Sequence, residues 1–165
     1  MTRDRAIDLF VENAGKAGAH VVRVNSADEL NAVLADLLED ATAVYSPGVT
    51  PTEQAAAIPP DRRTDDYLNA SACVEEVSAA VAETGSLVCS SQGGKPVQAG
   101  LLPAHHIAIV AAGHVYEDLD QFFAALGDAP PTNITLETGP SRTADIELTL
   151  TIGVHGPDRL SIIVV

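Results

Sequence analysis

The eight residues HHIAIVAA, 105–112, offer apolar side chains to both faces of an extended chain. A strand of that kind has to be covered on both sides, as in the middle of a parallel sheet. The chain must therefore supply a layer above it and a layer below it.

Helical and strand patterns alternate along the rest of the sequence. Ile7, Phe10, Val11 and Ala14 recur at helical spacing, with Gly15 and Gly18 behind them, so an amphipathic helix should stop before the strand-like HVVRV at 20–24. Ser26 followed by Glu29 is a capping box, and Leu30, Val33, Leu34, Leu37 and Leu38 form the apolar stripe of the helix it opens. ATAVY at 41–45 reads as a short buried strand that ends at the Pro- and Gly-rich SPGVTP. SAAVAETGSLVCSS at 78–91 reads as strand, turn, strand, because TGS is turn chemistry and LVC an apolar β-type run. Beyond the central run, Leu119, Phe122, Phe123 and Leu126 mark a third helix, with Glu117 and Asp118 at its start and Gly127 closing it. NITLE at 133–137 is a strand, PSRTAD a short turn or single helical turn, and the alternation of Ile146, Leu148, Leu150, Ile152 and Val154 a strand with one wet face. LSIIVV closes the chain as a last strand.

This rhythm predicts an α/β fold, a three-layer and mostly parallel sheet with helices on both faces and some antiparallel additions near the end of the chain. At 165 residues one domain over 1–165 suffices. Such a chain buries roughly 70% of its unfolded surface. Ligands of such sheets gather outside the carboxyl ends of strands, and the segment after NITLE is at such an end.

A net charge of -14 repels phosphate backbones and anionic membranes, so nucleic acid is a poor partner. There is no apolar run of 18 residues and no signal segment behind the N-terminal arginines, so neither membrane insertion nor secretion is expected and the protein reads as cytoplasmic. Cys73 and Cys89 have no metal-ligand spacing and read as buried small apolar residues. His105, His106 and His114 share no ligand spacing, so no metal site is assigned. QGGK at 92–95 lacks the frame of a phosphate loop, and no G-x-G-x-x-G follows a strand.

Two segments can carry chemistry. In GPSRTAD, a helical turn capped by Ser141 or Thr143 would leave backbone N–H groups free, and with Arg142 they would form an anion cradle. Against it stands a plain internal pairing of Arg142 with Asp145 or Glu137. In AETGS, Glu83 is either a solvated carboxylate or a general base or acyl acceptor, flanked by the hydroxyls of Thr84 and Ser86. His155, fixed between Gly and Pro neighbours in GVHGP, could titrate near neutrality or donate to a ligand oxygen. Ser141, Asp145 and His155 are not read as a triad, because no G-x-S-x-G frames the serine.

TGPSRTADIE (138–147) and GVHGP (153–157), preceded by AETGS (82–86) and LLPAHHIAIV (101–110), together resemble the lactate-utilisation LUD-domain family, and within it the LutC (YkgG) branch. The branch usually has a serine where this chain has Thr138, which keeps the hydroxyl. The resemblance covers about Ala79 to Val165; the first half matches only in general pattern, and an N-terminal feature of longer relatives is expected to be missing. It implies a fold like the sugar-phosphate isomerase and CoA-transferase superfamily (NagB/RpiA/CoA-transferase-like). It also implies a non-redox, accessory part in oxidising L-lactate to pyruvate, with no cofactor bound by this chain and iron-sulfur clusters held by partner proteins.

On that reading AETGS and GPSRTADIE face one cleft that takes a small carboxylate or a phosphorylated ligand. Ser141, Thr143 and backbone amides from Gly139 onward would hold the anion and Arg142 would neutralise it, while Glu83, Asp145, Glu147 and His155 position these groups or handle a proton. Thr84, Gly85 and Ser86 complete the wall. The alternative is a stand-alone CoA-transferase-like or sugar-phosphate-isomerase-like enzyme with Glu83 as acyl acceptor or base. The pattern leaves a homo-oligomer open and assigns no catalytic residue.

Overall fold

The structure, a computed structural model, describes residues 2–49, 57–144, 150–152 and 155–165. Its main sheet is parallel throughout. Strands β1 (His20–Arg23), β2 (Val44–Tyr45), β3 (Ala72–Glu76), β6 (His105–Val110) and β11 (Arg159–Val164) lie in the order β1-β11-β6-β3-β2. The run that is apolar on both faces, β6, takes the centre, and all six of its residues are buried.

One face of this sheet is covered by α2 (Ala27–Leu37), whose Leu30 and Leu34, with Leu38 beyond its end, pack on Val74, Ile107, Ile109 and Ile163. The helix starts where the capping box placed it. Ser26 Oγ accepts from the Glu29 amide at 3.2 Å, and the Glu29 carboxylate accepts from the amide of Asn25, one residue earlier than the standard box, at 2.8 Å.

The other face is shared by two covers. The first is α1 (Arg3–Lys16), which buries Ile7 and Phe10 against Ala108, Val110, Leu160 and Ile162. Beside it lies a second sheet of β4 (Ala79–Val81), β5 (Ser86–Ser90), β7 (Val115–Tyr116) and β8 (Ile134–Glu137), in the order β7-β4-β5-β8. Leu87 and Cys89 of β5 face inward to the main sheet, and Val81 and Val88 face outward to Phe122 of α3 (Leu119–Leu126). The expected α/β sheet with helices on both faces is present. The antiparallel pairs β4–β5 and β5–β8 enter from the middle of the chain as well as near its end.

One strand was not anticipated from the sequence, and one segment departs from its expected form. ACVEE forms β3, a strand next to the centre, which its two glutamates conceal from a reading of apolar pattern. The residues expected as a turn at PSRTAD are extended: Arg142–Ala144 form β9, antiparallel to β10 (Leu150–Ile152). The remainder of the alternating stretch, 145–149 and 153–154, lies outside the described residues.

The AETGS turn between β4 and β5 is pinned to α1. Asn13 Nδ2 donates to the carbonyls of Ala82 (2.8 Å) and Glu83 (3.1 Å), and Gly85, at φ +68°, sits so close that a Cβ would overlap the backbone of Asn13 and Ala14. Gly93 has a similar φ of +72° but open space around it. Gly93→Ala should therefore lose only the backbone strain, about 1–2 kcal/mol. Gly85→Ala should lose clearly more, since α1 has to move; equal losses in urea unfolding would show that the turn does not fix the helix.

Candidate functional site

The two C-terminal motifs meet beyond the carboxyl end of β8. The Ser141 amide donates to the Pro157 carbonyl at 2.8 Å, and a Cβ on Gly156 would lie 3.0 Å from the Cβ of Ser141. Gly139, at φ +70°, packs so tightly on the C-terminal end of α1 that a Cβ would overlap the Ala17 carbonyl. Arg142 Nη2 donates to that same carbonyl at 2.7 Å, and Gly18 has no side chain because the guanidinium occupies its place. A cation at the end of a helix meets its carbonyl dipoles favourably.

These contacts enclose an open cleft of about 470 Å³ whose wall includes Glu137, Thr138, Gly139, Ser141, Arg142 and His155. Four of the residues expected to bind a ligand, Gly139, Ser141, Arg142 and His155, are thus brought together. The helical-turn form of the cradle is corrected, because the backbone is extended from Arg142 and the Ser141 amide is already spent on Pro157. An anion held here would meet side chains rather than a nest of amides. Thr143 contributes backbone to β9, its side chain is outside the described set, and Asp145 and Glu147 lie outside the described residues altogether.

AETGS touches this region without lining the cleft. Ser86 Oγ donates to Thr84 Oγ1 at 2.7 Å and shares a hydrogen bond with Thr138 Oγ1 at 2.6 Å. Glu83 Oε1 accepts from the Leu119 amide at 3.0 Å, capping the first turn of α3. Gly85 is held under α1 as described above. In the QGGK loop, Lys95 Nζ donates to the Glu76 carbonyl at 2.6 Å, which anchors the loop to β3.

Behind the cleft lies a cluster that sequence reading missed. His106 is fully buried on β6, and its Nδ1 is 2.6 Å from Glu137 Oε2 of β8. On the other side its Nε2 is 3.1 Å from Glu75 Oε1 of β3, close enough for an ion pair but out of line for a hydrogen bond. Burial opposes charge on this ring, but the hydrogen bond to Glu137 and the approach of Glu75 outweigh it and push the imidazole up to about 9. The neighbouring His105 behaves oppositely. It points to the α2 side, 2.9 Å from Ser161 Oγ, and burial together with Arg159 pushes it down to about 4. Cys73 and Cys89 are buried free thiols whose pKa values burial raises, so both stay protonated as the small apolar residues expected. The available signals were two histidines inside an apolar strand and paired glutamates at the end of another.

The architecture defines an α/β protein with a polar cleft beside the last strand of its second sheet. A family model of the LUD domain matches residues 56–165, and the chain belongs to that family, as its motifs suggested. It is 40% identical over 91 residues to lactate utilization protein C of Halalkalibacterium halodurans, a match covering 52% of this chain and 40% of that protein. With lactate utilization protein C of Macrococcus caseolyticus it is 42% identical over 91 residues, 52% of this chain and 39% of that one. The chain thus matches less than half the length of these relatives. In three dimensions it resembles a DUF162 family protein from Deinococcus radiodurans, with a TM-score of 0.76 at 23% identity over 99% of this chain and 98% of the other. Among the described residues no helix is long and apolar enough to cross a membrane.

The two histidines set opposite pH limits. His106, raised to about 9, contributes stability that is complete below its unfolded pKa of about 6.5 and is lost as pH rises through 9. His105, lowered to about 4, contributes stability present above about 6.5 and lost as pH falls through 4. Long-range proton–nitrogen NMR at pH 7 should show a charged ring for His106 and a neutral one for His105. Unfolding free energy should already decline between pH 6.5 and 7.5, below the range where unfolded thiols ionise. A neutral His106 at pH 7 contradicts the cluster.

Proposed function

We propose that this chain is a non-redox, accessory component of a system that oxidises L-lactate to pyruvate, and that the cleft beside β8 binds a small anionic ligand for it. The observation that carries the reading is the gathering of Ser141, Arg142 and His155 on one cleft, with the guanidinium steadied by the end of α1. Only one of the five N–H donors of Arg142 goes to Ala17, and a planar guanidinium can give others to a carboxylate or phosphate. The names of the similar proteins support lactate utilisation as the setting. Electron transfer falls to iron-sulfur partner proteins, and this chain acts in the cytoplasm through its ligand and those partners.

The enzymatic alternative rested on Glu83 as acyl acceptor or base. Its carboxylate caps α3 and does not line the cleft, which gives that role no support.

A ligand present at about 100 times its Kd adds about 2.7 kcal/mol to stability. At this chain length that is a rise in Tm of roughly 2–4 °C per kcal/mol. L-lactate or a small phosphate ester should raise the Tm of the parent by several degrees and leave Arg142→Ala unmoved. Lactate-dependent dye reduction should appear only when iron-sulfur partner proteins are added. Equal protection of parent and variant removes the anion site, and turnover by the purified chain alone removes the accessory role.

A further inference from the structure

We infer that the outer edge of β8, with the groove beside it, is a docking site for an extended acidic segment of a partner protein, which adds to the second sheet as a further strand. The inference goes beyond the reading of the cleft and does not require a small anion there.

β8 is the last strand of the second sheet, and among the described residues it pairs only with β5. Which of its main-chain groups stay free follows from the ladder. The Ser91 amide donates to the Asn133 carbonyl, so these two residues face each other as a hydrogen-bonded pair. Bonded and non-bonded pairs alternate in an antiparallel ladder. Thr135 and Glu137 therefore bond to β5, and the N–H and C=O groups of Ile134 and Leu136 point outward. The Val88 carbonyl, opposite Leu136, agrees with this, since it accepts from the Ser78 amide on the β4 side. No described residue meets the outward groups of Ile134 and Leu136. Free edges of this kind are usually blunted by proline or lysine, and β8 carries neither; its Leu136 is 42% exposed.

A groove runs along this edge. The cleft of about 470 Å³ takes in Thr135 and Leu136, and a second hollow of about 400 Å³ takes in Ile134 and Thr135. Leu101 lines both, so the two adjoin beside the strand, and Val97 adds to the apolar surface. Each hollow contains a cation, Arg142 in the first and Lys95 in the second. Of the chain's 23 acidic residues, Glu137 alone is among the described residues lining either hollow, and it is buried against His106. The groove thus has the opposite sign to a chain of net charge -14. That contrast selects a segment bearing carboxylates and disfavours a second copy of this chain. Four residues of strand span roughly 14 Å, so acidic side chains four positions apart on an added strand match the length of β8. Its backbone answers Ile134 and Leu136, as in other sheets that take up a peptide strand.

The test is amide hydrogen exchange read by NMR, with and without a capped synthetic peptide of the order Asp-Val-Thr-Val-Asp, whose palindromic side chains make the docking direction immaterial. In the free protein the amides of Ile134 and Leu136 should exchange fast while those of Thr135 and Glu137 are protected. The peptide should slow both fast amides at submillimolar concentration. Methylating its backbone nitrogens should weaken it about tenfold or more, and replacing its acidic residues by lysine should abolish binding. Leu136→Pro removes an outward donor without touching the β5 ladder and should cost about tenfold in Kd. A folded variant that binds like the parent overturns the inference; where the variant does not fold, equal binding of the methylated peptide by the parent does so instead. Protection of Ile134 and Leu136 that is already present in the free protein and grows with its concentration assigns the edge to a second copy, and that too overturns it, as does indifference to the acidic peptide at millimolar concentration. An edge that the peptide occupies in a protein whose Tm no small anion raises leaves this inference standing and removes the small-anion reading of the cleft.

Discussion

A buried imidazole held between two carboxylates ties together the parts of this protein that matter to its cleft. His106 and Glu75 belong to the main sheet and Glu137 to the second, so the contact crosses the layer boundary in a region otherwise filled by aliphatic side chains. Charges of this kind are expensive to bury, and removing one leaves its partners uncompensated at a cost of about 3–5 kcal/mol. TGPSR begins one residue after the Glu137 carboxylate that the cluster holds.

From there the geometry is set by close approaches that only glycine allows. The end of α1 supplies the platform: Gly139 lies on the Ala17 carbonyl, Gly18 yields its side-chain space to the Arg142 guanidinium, and the carbonyl accepts a hydrogen bond from that arginine. An arginine anchored in this way has lost much of its rotamer freedom. The AETGS turn acts one step back. It docks α1 through Asn13 and Gly85, and its Ser86 hydroxyl steadies Thr138 at the mouth of the motif.

Much of this was readable in the chain. The Ser26 cap, the stripe of Leu30 and Leu34, the doubly apolar β6 and the pairing of β4 with β5 follow from local periodicity and turn chemistry, and the structure keeps them. The motifs TGPSR and GVHGP pointed to one site, and they do meet. What was not readable depends on distant partners. β3 went unread: its Glu75 breaks the apolar pattern, and the counter-charge that lets it be buried is thirty-one residues away on β6. PSRTA looked like a capped turn because nothing local shows that β10 will pair with it. Glu83 looked like chemistry because its true partner, the amide at the start of α3, is thirty-six residues further on.

The sequence by itself determined most of the elements and the α/β layering, since hydrophobic period, caps and glycines act over a few residues and need no knowledge of the fold. It also determined the family, through short motifs whose residue types are constrained one by one. The tertiary structure alone decided which polar groups line the cleft. Whether a carboxylate is solvated, caps a helix or faces a buried imidazole depends on what the other layers bring within about 3 Å of it, and strand order, not local sequence, controls that distance.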